Sequence, residues 1–193
     1  MSATCSDEKS GEPKGVTIGS LFSGIGGLEL GLEWAGMRTI WQVEIDDYCT
    51  RVLKKRWPGV PRYGDVTKLT GEELGSHGHA DVICGGFPCQ PFSTAGKRRG
   101  RADTRFLWPE FVRLVRVLKP RYVLAENVPG ILSIDSGGPF GEVLADLAAC
   151  GYRTEWDCIS AQSCGAWHRR DRIFVVAYAD GRGRDGHEPQ AEA

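Results

Sequence analysis

No uninterrupted apolar run in the 193 residues approaches a membrane span, and the stretch Met1 to Lys14 is polar, without the apolar h-region of a signal peptide. Neither a spanning helix nor a secretory signal is therefore expected, which points to the cytoplasm. Close cysteine pairs are missing too. The seven cysteines are odd in number and scattered, so a disulfide framework is not expected. No C-x-x-C occurs. The nearest approach to a metal pattern is Cys158, Cys164 and His168, with His77 and His79 elsewhere, and no metal site is assigned. Internal repeats are absent, and the net charge is only -1. What remains is ordinary: 41% hydrophobic and 25% charged residues, enough chain for one α/β domain with a sizeable core.

The near-zero net charge hides an uneven distribution. Lys97, Arg98, Arg99, Arg101 and Arg105 lie together, and His168, Arg169, Arg170 and Arg172 form a second basic group. The region around Glu29, Glu33, Glu44, Asp46 and Asp47 is acidic. Local basic segments on a neutral protein can meet phosphate, although a solvated face is the plainer reading of a charge run.

Apolar runs alternate with amphipathic ones. Strands are expected over Val16 to Ser20, Thr39 to Glu44, Arg62-Tyr63, Asp81 to Cys84 and Tyr122 to Ala125. Helices are expected after Gly27, over Asp47 to Trp57, over Arg105 to Leu118, and over Phe140 to Cys150 with Gly151 closing it. Arg153 to Ser160 and Ile173 to Ala179 read as a β-hairpin. The alternation predicts a doubly wound, mostly parallel Rossmann-like sheet ending in an antiparallel hairpin, with ligands at the carboxyl ends of its strands. Residues 15–179 would form this domain, 1–14 a disordered leader and 180–193 a glycine-rich, charged tail.

The turn Phe22-Ser23-Gly24-Ile25-Gly26-Gly27 follows the first strand and opens a helix, where backbone N–H groups meet a nucleotide-type ligand. Glu44 stands at the end of the second strand, twenty positions beyond Gly24, where a carboxylate can accept from ribose hydroxyls. Asp65, after the third strand, can accept from an adenine amino group. Glu29 replaces the third glycine of G-x-G-x-x-G, which speaks against a pyrophosphate-bearing dinucleotide.

The most informative stretch is Gly85-Gly86-Phe87-Pro88-Cys89-Gln90-Pro91-Phe92-Ser93. Two glycines are expected to let the backbone turn sharply after the strand, and two prolines bracket one thiol. A cysteine on a stiff loop at a strand's carboxyl end is placed like a nucleophile; the bland alternative is a buried apolar filler. Glu126-Asn127-Val128-Pro129 ends the fifth strand, and Arg170-Asp171-Arg172 precedes the last.

These four motifs, in this order, resemble those of the DNA cytosine-5 methyltransferases. The resemblance spans about residues 16–179 and implies S-adenosyl-L-methionine as cofactor. By it, Phe22 packs on the adenine side, and the turn from Ser23 to Gly27 cradles the methionine part. Ile45, Val66 and Leu107 line the pocket, and Gly86 and Pro88 edge it. It implies Cys89 as the nucleophile on cytosine C6, Glu126 at N3, Arg172 at O2 and Arg170 in support. Gln90, Ser93, Lys97, Arg98, Arg99, Arg101 and Arg105 would belong to a lid that meets double-stranded DNA. Two positions depart from the family pattern: His168 stands where glutamine is usual, and Trp167 where proline is frequent.

Nothing after Arg172 resembles the family's target-recognition domain or its two closing motifs. Three accounts stay open: one subunit of a split enzyme with a separate recognition subunit, a truncated fragment, or a compact enzyme of relaxed specificity. An RNA cytosine methyltransferase and a non-catalytic S-adenosylmethionine- or DNA-binding subunit are the functional alternatives.

Overall fold

The computed structural model describes residues 15–88 and 106–179. Seven strands form one sheet: β1 (Thr17–Leu21), β2 (Arg38–Val43), β3 (Arg62–Tyr63), β4 (Val82–Gly86), β5 (Tyr122–Asn127), β6 (Tyr152–Ser160) and β7 (Asp171–Ala179). Their spatial order is β3-β2-β1-β4-β5-β7-β6. The pairs from β3 across to β5 are parallel, whereas β7 runs antiparallel to both β5 and β6. The expected Rossmann-like sheet with a terminal antiparallel hairpin is thus what the chain forms. The hairpin is inserted so that β7, not β6, abuts β5.

Helices α1 (Gly27–Trp34), α2 (Asp47–Arg56), α3 (Gly71–Gly75), α4 (Trp108–Leu118) and α5 (Gly138–Ala149) connect the strands. Their ends follow from local chemistry. The Asp46 carboxylate caps α2 by accepting from the Cys49 N–H at 2.8 Å, and Lys54, Lys55 and Arg56 complement its last turn. Pro109 opens α4, and Lys119, in the left-handed region at φ 47°, closes it ahead of Pro120. Trp108, Phe111, Leu114 and Val115 of α4 are fully buried, each stabilising the fold by roughly 1.5–3 kcal/mol.

The helix expected from Arg105 begins at Trp108. The strand expected to stop at Cys84 continues through Gly85 and Gly86, and the one expected to stop at Ala125 continues through Glu126 and Asn127. Both glycines therefore serve close packing rather than a turn. A side chain at Gly85 would strike the Leu21 carbonyl, and a Cβ at Gly86 would lie 2.7 Å from Glu126 Oε2. Among the described residues no helix is long and apolar enough to cross a membrane.

Candidate active site

The turn after β1 is built by backbone strain held in place by β2. Phe22, Gly24 and Gly26 all have positive φ, at 54°, 56° and 90°. The Ser23 N–H donates to the Val43 carbonyl at 3.0 Å. The Gly24 N–H donates to Glu44 Oε2 at 2.6 Å, and the other Glu44 oxygen accepts from the Asp46 N–H at 2.8 Å. Glu44 thus braces the turn as well as standing at its mouth. Gly26 lies against the Trp57 ring so closely that a side chain there would collide with it. The Trp57 indole is in turn oriented by Glu33, which accepts its N–H at 2.8 Å.

Around this turn the predicted pocket residues fall into two groups. Ile25 and Ile45 are 60% and 72% exposed, apolar side chains facing solvent beside the ends of β1 and β2. Phe22 is partly buried and stacks on Phe111 with centroids 6.4 Å apart. Val66 belongs to the core, and Leu107 packs against it just before α4. Asp65 accepts from the Thr67 hydroxyl at 2.7 Å and the Thr67 N–H at 3.0 Å, which hold its carboxyl below the usual range. Space at Gly24 is open, with nothing within 4 Å of where a Cβ would stand.

Beneath the turn lies a polar cluster that sequence reasoning missed. Glu29, read as part of an acidic stretch and as the residue in place of a third glycine, is fully buried in the first turn of α1. Gln42 Nε2 donates to its Oε1 at 3.4 Å, and the Ser23 hydroxyl donates to Ser20 Oγ at 2.9 Å. Burial pushes the Glu29 pKa up, and its second carboxylate oxygen, Oε2, is buried without a hydrogen-bond partner. Neighbouring Cys84 is also fully buried, and desolvation raises its thiol so far that it stays a neutral filler.

The second half of the site stands at the ends of β4, β5 and β7. Register pairs Gly86 with Glu126 and Glu126 with Phe174, which brings Arg172 to the same sheet end. Arg172 Nε meets Glu126 Oε1 at 2.7 Å, and the two side chains are 23% and 25% exposed. Arg172 Nη1 also donates to the Asp171 carbonyl at 2.7 Å. Arg170 is exposed, with φ at 34°, and is not drawn into this pair.

Asn127 completes the arrangement. Its Nδ2 donates to the Phe87 carbonyl at 3.0 Å, and its Oδ1 accepts from the Val128 N–H at 2.9 Å. Phe87 is buried against Trp108, 5.0 Å between centroids. Pro88 follows, half-buried, as the last described residue before Cys89. Cys89, Gln90, Ser93, Lys97, Arg98, Arg99, Arg101 and Arg105 lie outside the described residues. Sequence reasoning quoted Asn127 inside its motif without giving it a task; an amide directly after the motif's carboxylate, at a strand end, was the available signal.

A glycine turn braced by β2, facing a carboxylate–guanidinium pair across the carboxyl ends of a mixed sheet, is the architecture of a Rossmann-like methyltransferase. The chain belongs to the C-5 cytosine-specific DNA methylase family, which matches it over residues 16–191. It is similar to the type II methyltransferase M.BsuFI of Bacillus subtilis, 35% identical over 164 residues, covering 84% of this chain and 39% of that one. It is also similar to M.NlaX of Neisseria lactamica, 35% identical over 161 residues, covering 82% and 50%. Among solved structures, a candidate DNA modification methyltransferase encoded within an E. coli prophage superposes with a TM-score of 0.74 at 28% identity, covering 92% of this chain and 52% of that one. The Dnmt2 methyltransferase of S. pombe shares the fold, with a TM-score of 0.71 at 20% identity over 92% and 57%. The chain spans about half the length, or less, of the curated relatives it matches.

Proposed function

We propose that the chain is the catalytic part of a DNA (cytosine-5-)-methyltransferase that uses S-adenosyl-L-methionine and forms a covalent adduct between Cys89 and a flipped cytosine. The observation that carries this reading is the Glu126–Arg172 pair, one strand from the β4 exit that leads to Cys89. The turn suits the cofactor: Gly24 is unobstructed, Glu44 and Asp65 are acceptors, and Ile25 and Ile45 offer apolar surface to an adenosine. When bound, S-adenosylmethionine supplies an electrophilic methyl group for C5 of the pyrimidine.

The chain's own residues do the rest. Cytosine C5 is a weak nucleophile. Cys89, as thiolate, adds to C6 and turns the ring into an enamine with electron density at C5. Glu126 stabilises protonation at N3, and that proton offsets the negative charge as it develops, while Arg172 holds O2. Pairing through Nε and Oε1 leaves Arg172 Nη2 and Glu126 Oε2 for the base. After methylation a base takes the C5 proton and the Cys89 sulfur leaves, restoring the aromatic ring. The nearby Arg172 guanidinium charge favours the thiolate, and Arg170, exposed at the same sheet end, adds a second cation there.

A stacked base is out of reach of such a site, so the target leaves the duplex at a cost of a few kcal/mol. Residues 90–105, with Gln90, Ser93, Lys97, Arg98, Arg99, Arg101 and Arg105, close over it and meet phosphate. Target recognition is assigned to a part outside residues 16–179, in the same or a separate polypeptide.

The test is incubation with S-adenosylmethionine and a duplex carrying 5-fluorocytosine, followed by denaturing electrophoresis. A covalent protein–DNA band in the wild-type chain, lost in Cys89→Ser, is the expected result. No band, with or without the polypeptide that supplies recognition, overturns the nucleophile assignment.

A further inference from the structure

Trp167 is 95% exposed, and it sits where the family more often has proline. We propose that Trp167 is a stacking platform for an unstacked nucleobase of the DNA strand beside the catalytic cleft, a deepening that rests on the DNA-methyltransferase reading.

Three observations converge. The first is position. Ser160 pairs with Asp171 at the mouth of the β6–β7 hairpin, and Ile173 pairs with Asn127 at the carboxyl end of β5. The loop 161–170 therefore projects from the sheet end that carries Glu126 and Arg172. The second is stiffness. The Ser163 N–H donates to Ser160 Oγ at 3.0 Å, and the Ser163 hydroxyl to the Ser160 carbonyl at 2.7 Å. The Ala166 N–H donates to the Ala161 carbonyl at 3.0 Å, and the Ala161 N–H to the Arg169 carbonyl at 2.8 Å. A loop tied this many times presents its indole in a fixed place, so little entropy is lost when a flat partner arrives.

The third is charge. His168 meets the indole edge-on at 5.2 Å, Arg170 is exposed, and Arg169 is 82% exposed while paired with Asp171 at 3.3 Å. Arg170 also holds the left-handed backbone at φ 34°, the kind of local strain found at ligand sites. An aromatic face among cations at a cleft mouth fits a polyanion with exposed bases, because stacking takes the base and the cations take the phosphates. Single exposed apolar residues are common on any surface. Trp34 supplies the contrast: it is 79% exposed at the end of α1, just before β2 begins, near the amino ends of the strands and away from the carboxyl ends that carry the cleft.

The test compares wild type, Trp167→Ala, Trp167→Phe and Trp34→Ala for binding a fluorescein-labelled duplex with one mismatched cytosine, by anisotropy over a range of salt concentrations. Trp167→Ala is expected to raise the Kd roughly 5- to 150-fold, the range of one lost base–aromatic stack. Trp167→Phe should stay within about threefold, and Trp34→Ala should match wild type, since a ring at the far end cannot stack. The salt slope should be the same in all four, because no phosphate contact is removed. Wild-type affinity in Trp167→Ala, with the wild type binding DNA, overturns the platform and leaves the methyltransferase reading standing. No DNA binding by the wild type, with or without the polypeptide that supplies recognition, overturns the platform and the DNA-substrate reading together.

Discussion

The Asn127 amide is bonded to the Phe87 carbonyl at 3.0 Å, fastening the end of β5 to the residue two positions before Cys89. The carboxylate of Glu126 and the Phe87-Pro88 backbone that precedes Cys89 in the chain are therefore positioned by neighbouring residues of one strand. Asn127→Ala leaves a buried carbonyl without its donor, a loss of about 1–3 kcal/mol. Thermal unfolding should show that loss. Trapping on 5-fluorocytosine should slow by more than the unfolded fraction accounts for, because the Phe87-Pro88 segment loses its anchor.

Gly86 tests the same neighbourhood from the other side. In Gly86→Ala the new methyl falls 2.7 Å from Glu126 Oε2, the far end of a side chain that can swing away. Stability should drop by no more than about 1 kcal/mol, in the range of ordinary substitutions. Adduct formation should fall at least about tenfold, equivalent to about 1.4 kcal/mol of lost positioning. Equal rates for Gly86→Ala and wild type would show that the Glu126 carboxylate needs no fixed position.

The fold was legible where local chemistry sets it and opaque where long-range register does. Pro58, Pro120 and Gly151 marked helix ends that the sequence reading placed within a residue or two. The helix α3 went unread because it is five residues long, and its capping box, Thr70 with Glu73, lies among glycines and acids that look like loop. The hairpin was visible as two strands and a polar connection. That β7 rather than β6 pairs with β5 depends on six cross-strand partners from Tyr122↔Tyr178 to Asn127↔Ile173, which no local pattern encodes. Glu29 was misleading for a related reason. A carboxylate two residues into a helix reads as a solvated acid complementing the helix dipole, and only the packing of α1 on β2 and β4 takes it out of water.

Glu29 carries a pH dependence whose sign follows from that burial. Its folded pKa is raised above the usual glutamate value, so the native state holds the proton more tightly than the unfolded chain. This contribution to stability is fully present below the unfolded pKa and is lost as pH rises through the folded one. Glu29→Gln keeps the shape and the amide donors without a titrating group. Denaturant unfolding from about pH 4 to about pH 8 should show the wild type losing stability relative to Glu29→Gln as pH increases. A difference independent of pH would mean that the buried carboxyl titrates alike in both states.

The last prediction separates bracing from binding at the cofactor turn. Glu44 accepts from the Gly24 N–H with one oxygen and the Asp46 N–H with the other. It has lone pairs to spare for ribose hydroxyls, since an ionised carboxylate offers about four acceptor sites. Glu44→Gln keeps one oxygen but puts a donor in place of the other, so one of the two N–H groups loses its acceptor. Glu44→Asp keeps both acceptors on a shorter arm that no longer reaches Gly24. If Glu44 contacts the cofactor, S-adenosylhomocysteine affinity measured by calorimetry should fall in both variants by about tenfold or more, one lost charge-assisted hydrogen bond being worth about 1.5–3 kcal/mol. Hydrogen exchange should quicken at the Gly24 amide in Glu44→Asp and at one of the two amides, Gly24 or Asp46, in Glu44→Gln. Faster exchange with unchanged affinity would make Glu44 a brace alone and move the ribose contact elsewhere in the turn.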